Sequence, residues 1–220
     1  MQLPPFLDIP AAEPEAADIL LLPLPFEATV SYGGGTAEGP AAIWRASAQV
    51  ELWDEETDVD LAELRVYSAS PVCPRQSELV GDYLLRVQRA AAALHRHGRL
   101  VVGVGGEHSV TPPLVLAAAG GDDLSDLTIV QLDAHADLRA EYEGTPHSHA
   151  CAMRPLVDRG ARLLTIGCRS AEREEFAYGQ STGRVQTFWA RRLAQEPGEE
   201  AALLECLDRL EGRVYLTIDI

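Results

Sequence analysis

Short apolar runs that break abruptly into polar or glycine-rich chain set the pattern of this sequence. Ile19-Leu20-Leu21-Leu22-Pro23-Leu24, Leu100-Val101-Val102-Gly103-Val104, Ile129-Val130-Gln131-Leu132 and Val214-Tyr215-Leu216-Thr217-Ile218 have the length and near-continuous hydrophobicity of strands covered on both faces. Leu163-Leu164-Thr165-Ile166 and Val185-Gln186-Thr187 read as later strands. Between the runs the period changes. Leu79, Val80, Tyr83, Leu84, Val87, Ala91 and Leu94 fall at helical spacing, which predicts a helix over 77–97 with Ser77 as its cap. A second helix is predicted over 109–119, where Pro112 falls in the first turn and its missing N–H costs little. Further helices are predicted at 40–49, from about 150, around 171–178, and over 199–210 past the Pro197-Gly198 break. Strands alternating with helices predict an α/β fold with a mainly parallel sheet.

The ends of these runs carry the chemistry. Asp133-Ala134-His135-Ala136-Asp137 follows one strand directly. In extended chain alternate side chains share a face, so Asp133, His135 and Asp137 would project together at intervals of roughly 6.5–7 Å, close enough to surround one or two cations. Taken alone, the motif also reads as a surface loop with two solvated carboxylates. Gly105-Gly106-Glu107-His108-Ser109 closes a second run, and Asp219 a third; by itself His108 reads as a capping imidazole. Ligands of open parallel sheets bind at the carboxyl ends of strands. Three strands that each finish in His or Asp therefore read as one site assembled from three places.

Composition narrows the class. A chain of 220 residues, 46% hydrophobic and 6% aromatic, supplies the core of one α/β domain over 1–220. The net charge of −16 argues against nucleic-acid binding and suits a cationic substrate. Cys73, Cys151, Cys168 and Cys206 form no Cys-x-x-Cys pair, which fits a reducing cytoplasm and thiols buried without a role. No apolar run approaches the roughly 18–20 residues of a membrane span, and no basic stretch precedes an apolar one at the N-terminus, so neither a membrane protein nor a secreted one is expected. Residues 11–17 read as a surface segment. The glycine-rich 31–40 lacks the Gly-Lys-Ser/Thr ending of a phosphate loop. The carboxylates between Glu51 and Glu63 read as a solvated connection anchored by Trp53. His95 and His97 are expected to satisfy a helix dipole rather than bind metal. In the polar loop from Arg139, His147 and His149 are both candidates for proton transfer.

Gly-Gly-Glu-His-Ser at 105–109, Asp-Ala-His-Ala-Asp at 133–137 and Thr-Ile-Asp at 217–219 together resemble the ureohydrolase family of arginases and agmatinases. Ser148-His149-Ala150-Cys151-Ala152-Met153-Arg154 is most similar to its agmatinase-type members. The resemblance implies a three-layer α/β/α architecture and a metal set of His108, Asp133, His135, Asp137 and Asp219. In it His108 and Asp137 serve one ion, His135 the other, and Asp133 and Asp219 span the pair. Oxygen-rich ligation without thiolate suits two Mn²⁺ ions, with Zn²⁺, Fe²⁺ or Co²⁺ as substitutes. It also implies attack of activated water on a guanidinium carbon, release of urea and an amine, and proton delivery by His149. Agmatine, giving putrescine in polyamine biosynthesis, is the first substrate. Aminopropylagmatine, guanidinobutyrate, formiminoglutamate and arginine stay open, and the substrate-binding residues are left unassigned. The 31–40 loop would shape access, and a trimer or hexamer of identical chains is implied. The family pattern continues past Ile220 with a second Asp and acidic loops, so the sequence matches the first two-thirds of such an enzyme. A non-catalytic subunit of the same fold is the rival reading. A single-zinc deacetylase is disfavoured, because His108 supplies a ligand for a second metal.

Overall fold

The computed structural model describes residues 4–220, in two compact units that divide between residues 118 and 119. In the first unit β1 (Ile19–Leu24) is followed by α1 (Gly39–Ser47), a two-residue hairpin of β2 (Trp53–Asp54) and β3 (Val59–Asp60), β4 (Val66–Ser68), α2 (Val80–His95), β5 (Leu100–Gly105) and α3 (Thr111–Ala119). β1 lies between β4 and β5, parallel to both. Its central place explains its unbroken apolar sequence. Leu21 enters a cluster with Ile9, Trp44 of α1 and Val66, while alternation sends Leu20, Leu22 and Leu24 to the other face. All of these leucines are buried, each worth about 1.5–3 kcal/mol relative to exposure. α2 buries Tyr83, Leu84, Val87 and Ala91, and Tyr83 stacks on Phe26 just after β1, with ring centroids 4.1 Å apart.

In the second unit β6 (Leu127–Leu132), α4 (Arg154–Asp158), β7 (Arg162–Cys168), α5 (Arg173–Thr182), β8 (Val185–Trp189), α6 (Ala190–Gln195), α7 (Glu199–Asp208) and β9 (Arg213–Ile218) follow in turn. The sheet order is β8-β7-β6-β9, every pair parallel. Val130, Leu164 and Phe188 form the core of one face, packed by Leu193 of α6 and by Leu203, Cys206 and Leu207 of α7. β9 is the outermost described strand beside β6, and Val214, Leu216 and Ile218 on it are exposed. No described helix is long and apolar enough to cross a membrane.

The α/β alternation and parallel pairing agree with the sequence, and several local expectations do not. Ser77 caps nothing: it has φ of +59° in the turn closed by Glu78 N–H donating to the Arg75 carbonyl, and Leu79 occupies the N-cap position of α2. Trp53 is 61% exposed, its indole N–H donating to Asp58 across the hairpin, so it anchors no core. His95 does lie in the last turn of α2, where burial lowers its pKa. Cys73 is exposed and Cys206 partly so, leaving Cys151 and Cys168 as the buried thiols. β4, the hairpin and α6 are too short for a periodic signal.

Candidate metal centre

Both units carry acidic residues just past strand ends, in different settings. After β5 the chain turns through Gly105-Gly106, where Gly106 N–H donates to the Leu24 carbonyl and Glu107 N–H to that of Phe26. A side chain at Gly106 would lie 2.0 Å from the Phe26 carbonyl oxygen, so only glycine permits this approach. Glu107 is 3% exposed. One carboxylate oxygen accepts from Ala28 N–H at 2.6 Å and Thr29 N–H at 2.7 Å, the other from the hydroxyls of Thr29 at 2.9 Å and Ser109 at 2.5 Å. Four donors fill the lone-pair sites of a carboxylate. Glu107 is thus a strut between the chain after β1 and the single 3-10 turn 108–110 that carries His108, itself buried. The sequence offered only its carboxylate, with no sign of these partners.

In the second unit the register of β6 and β9 does the assembling. Leu132 pairs with Ile218, and Asp219 N–H donates to the Leu132 carbonyl, which sets Asp219 level with Asp133. Asp133, Asp137 and Asp219 each offer an oxygen within 4.8 Å of the others. Extended chain could not achieve this, since four residues of strand span about 13 Å. The strand ends at Leu132, His135 N–H turns back to Asp133 Oδ1 at 2.8 Å, and Asp137 has φ of +52°, a conformation that Asn and Asp reach more easily than other L residues. The expectation of three ligands on one strand face is therefore corrected to a turn. Its carbonyl at Ala134 accepts from the N–H groups of Arg169 and Ser170 after β7. His135 stays on the rim, its side chain 61% exposed and Nδ1 3.5 Å from Asp133.

Behind Asp133 lies a buried relay. The Thr165 hydroxyl donates to Gln131 Oε1 at 2.9 Å, and Gln131 Nε2 donates to Asp133 Oδ2 at 2.8 Å. The hydroxyl bond sets the amide so that its NH₂ meets the carboxylate. Of the two candidate proton carriers, His147 is exposed and His149 half-buried. His149 opens a 3-10 turn capped by Ser148; its Nδ1 is 3.3 Å from the Ser148 hydroxyl, and its ring meets Tyr142 edge-on at 5.8 Å. Burial pushes the nearby Cys168 thiol up to about 11, with Asp133, Glu175 and Asp137 adding to it.

Asp133 and Asp137 are each 6% exposed. At an effective dielectric of about 20, two unit charges within 4.8 Å repel by about 3 kcal/mol, in addition to the cost of desolvating each. A cation among them turns repulsion into attraction, and carboxylate oxygens suit a hard divalent ion.

Parallel α/β units with carboxylates gathered past the strand ends define a class of α/β protein whose site calls for cations. The chain belongs to the arginase family, whose model matches residues 17–220. It is 34% identical over 208 residues to the N(1)-aminopropylagmatine ureohydrolase of Synechocystis sp., covering 93% of this chain and 67% of that protein. It is 30% identical over 215 residues to the agmatinase of Pyrococcus horikoshii, covering 97% of this chain and 71% of that one. The crystal structure of agmatine ureohydrolase of Thermoplasma volcanium superposes with a TM-score of 0.79 at 28% identity, over 94% of this chain and 68% of that one. The chain thus spans about two thirds of the length of these relatives.

Proposed function

We propose that this protein is a metal-dependent ureohydrolase that splits a linear cationic guanidino compound into urea and an amine, with agmatine as substrate and putrescine as product. The observation that carries the reading is the convergence of Asp133, Asp137 and Asp219 within 4.8 Å in a chain of the arginase family. Asp133, Asp137 and Asp219, with His108 and His135, would hold two Mn²⁺ ions. Bound there, divalent ions would supply Lewis acidity and would bring the pKa of a water molecule down towards about 7.

This chain's own residues do the rest. The carboxylates and the net charge of −16 draw in a cationic substrate and disfavour an anionic one. His149 passes a proton to the leaving nitrogen, so that the amine departs neutral as the C–N bond breaks. The Ser148 hydroxyl beside Nδ1 and the Tyr142 edge fix the plane of its ring. Aminopropylagmatine is the second reading, favoured by the 34% identical relative named for that substrate.

The test is urea release in Mn²⁺ over a panel of agmatine, aminopropylagmatine, guanidinobutyrate, formiminoglutamate and arginine. Agmatine or its aminopropyl derivative is expected to turn over, with activity abolished by His135→Ala. A panel without urea from any compound would refute the proposal. A trimer or hexamer of identical chains is part of the same reading and is checked by sedimentation.

A further inference from the structure

Glu175 is a buried ionisable group that the proposed chemistry does not use. It lies in the first turn of α5 and is 5% exposed. One carboxylate oxygen accepts from Leu138 N–H at 2.8 Å. The other accepts from Glu172 N–H at 2.8 Å, which makes it half of a capping box whose other half is the Glu172 side chain accepting from the Glu175 N–H. The first bond is the unusual one, because it reaches from a helix start to the residue after Asp137. Asp137 holds a left-handed backbone, φ +52°, and Met153 N–H donates to its carbonyl at 2.9 Å. Leu138 itself is 3% exposed, so water cannot replace the carboxylate as acceptor for its amide.

We infer that Glu175 is a positioning residue for the metal site: its carboxylate latches the Leu138 amide and thereby holds Asp137 in the left-handed turn that aims its carboxylate at Asp133 and Asp219. The inference rests on the metal reading above. A sparsely populated backbone conformation persists only where its surroundings over-determine it. Here the single Asp137–Leu138 peptide unit is tied at both ends, its N–H to Glu175 of α5 and its carbonyl to the Met153 N–H before α4. Outer partners of this kind tune metal affinity by roughly 10–100-fold.

The capping box supplies its own control. Glu172→Ala removes the other half of the box and leaves the latch in place, whereas Glu175→Ala removes a half of the box together with the latch. The experiment is Mn²⁺ titration by calorimetry on the full chain, with Leu138 amide exchange followed by NMR. Glu175→Ala is expected to weaken Mn²⁺ binding by about tenfold or more and to speed Leu138 exchange; Glu172→Ala is expected to change neither, although both lower the melting temperature. Should Glu175→Ala fail to fold, Glu175→Met serves, since a thioether side chain of similar length fills the space but offers neither N–H an oxygen acceptor. Wild-type affinity in the Glu175 variant, or an equal loss in Glu172→Ala, overturns the latch alone. Failure of the wild type to take up Mn²⁺ overturns the metal reading and the latch with it.

Discussion

Two acidic strand ends of the same chain reach opposite solutions. Past β5, Glu107 is ringed by four N–H and O–H donors and behaves as a structural tie. Past β6 and β9, Asp133, Asp137 and Asp219 face one another within 4.8 Å. Burial alone does not separate the cases, since Glu107, Asp133 and Asp137 are all buried. What separates them is the added company: Glu107 is ringed by four donors, whereas Asp133, although it too accepts from Gln131 Nε2 and His135 N–H, also has the carboxylates of Asp137 and Asp219 within 4.8 Å. A buried carboxylate ringed by protein donors is already neutralised in its environment, and one facing its own kind is a site for a cation.

The comparison breaks most visibly at Asp133. Asp133→Ala is expected to cost more metal affinity than the roughly 100-fold ceiling of an outer-partner change and to remove urea release; unchanged Mn²⁺ stoichiometry by mass spectrometry would contradict it. Glu107→Ala is the mirror case. It strands the half-buried Thr29 amide at about 1–3 kcal/mol, while the Ala28 amide, in an exposed residue, can turn to water, so denaturant melts should show a loss of about 2 kcal/mol with Mn²⁺ stoichiometry intact. Glu107→Gln should recover much of that stability, because the two hydroxyls can rotate to accept from the new NH₂. If Glu107→Ala instead abolishes metal uptake while remaining as stable as wild type, the contrast between the two ends is wrong.

Gln131→Leu probes the buried relay behind the trio. It should weaken Mn²⁺ binding by about tenfold, whereas Gln131→Glu, which sets a further carboxylate against Asp133, should weaken it more. The order of the two affinities, read by calorimetry, decides the point.

The smallest effect lies at the start of α2. Arg86 grips Glu78 at 2.7 Å and holds its carboxyl at about 2 instead of an ordinary 4.5. A depressed carboxylate contributes stability that is present above the unfolded value and lost as pH falls through the folded one. Arg86→Met should therefore flatten the fall in melting temperature between about pH 4.5 and 2 and leave the slope at neutral pH unchanged. Thiol labelling gives a further check on burial: Cys73 should react with iodoacetamide in the native protein, and Cys168, pushed up to about 11 by burial, only after unfolding.

The alternation of apolar runs and helical periods was legible because both are local properties of side chains. β1, β5, β6, β7, β8 and β9 were found where hydrophobic runs lay, and α2, α3 and α7 where the period changed. The identities of the acidic candidates were legible for the same reason, as chemistry clustered where apolar runs end. Their arrangement was not. Reading Asp133, His135 and Asp137 as strand residues extended a period-2 rule past Leu132, where the ladder stops and the chain curls back on Asp133.

The sequence by itself thus determined which side chains carry charge and which segments seek a core. Tertiary structure alone decided that Ile218 pairs with Leu132, which brings Asp219 to Asp133, and that Glu107 and Glu175 end on the backbone amides of Ala28, Thr29 and Leu138. The physical reason is that strand register and a buried carboxylate's choice of donor depend on hydrogen bonds between segments remote in sequence, whose partners no local pattern of residues encodes.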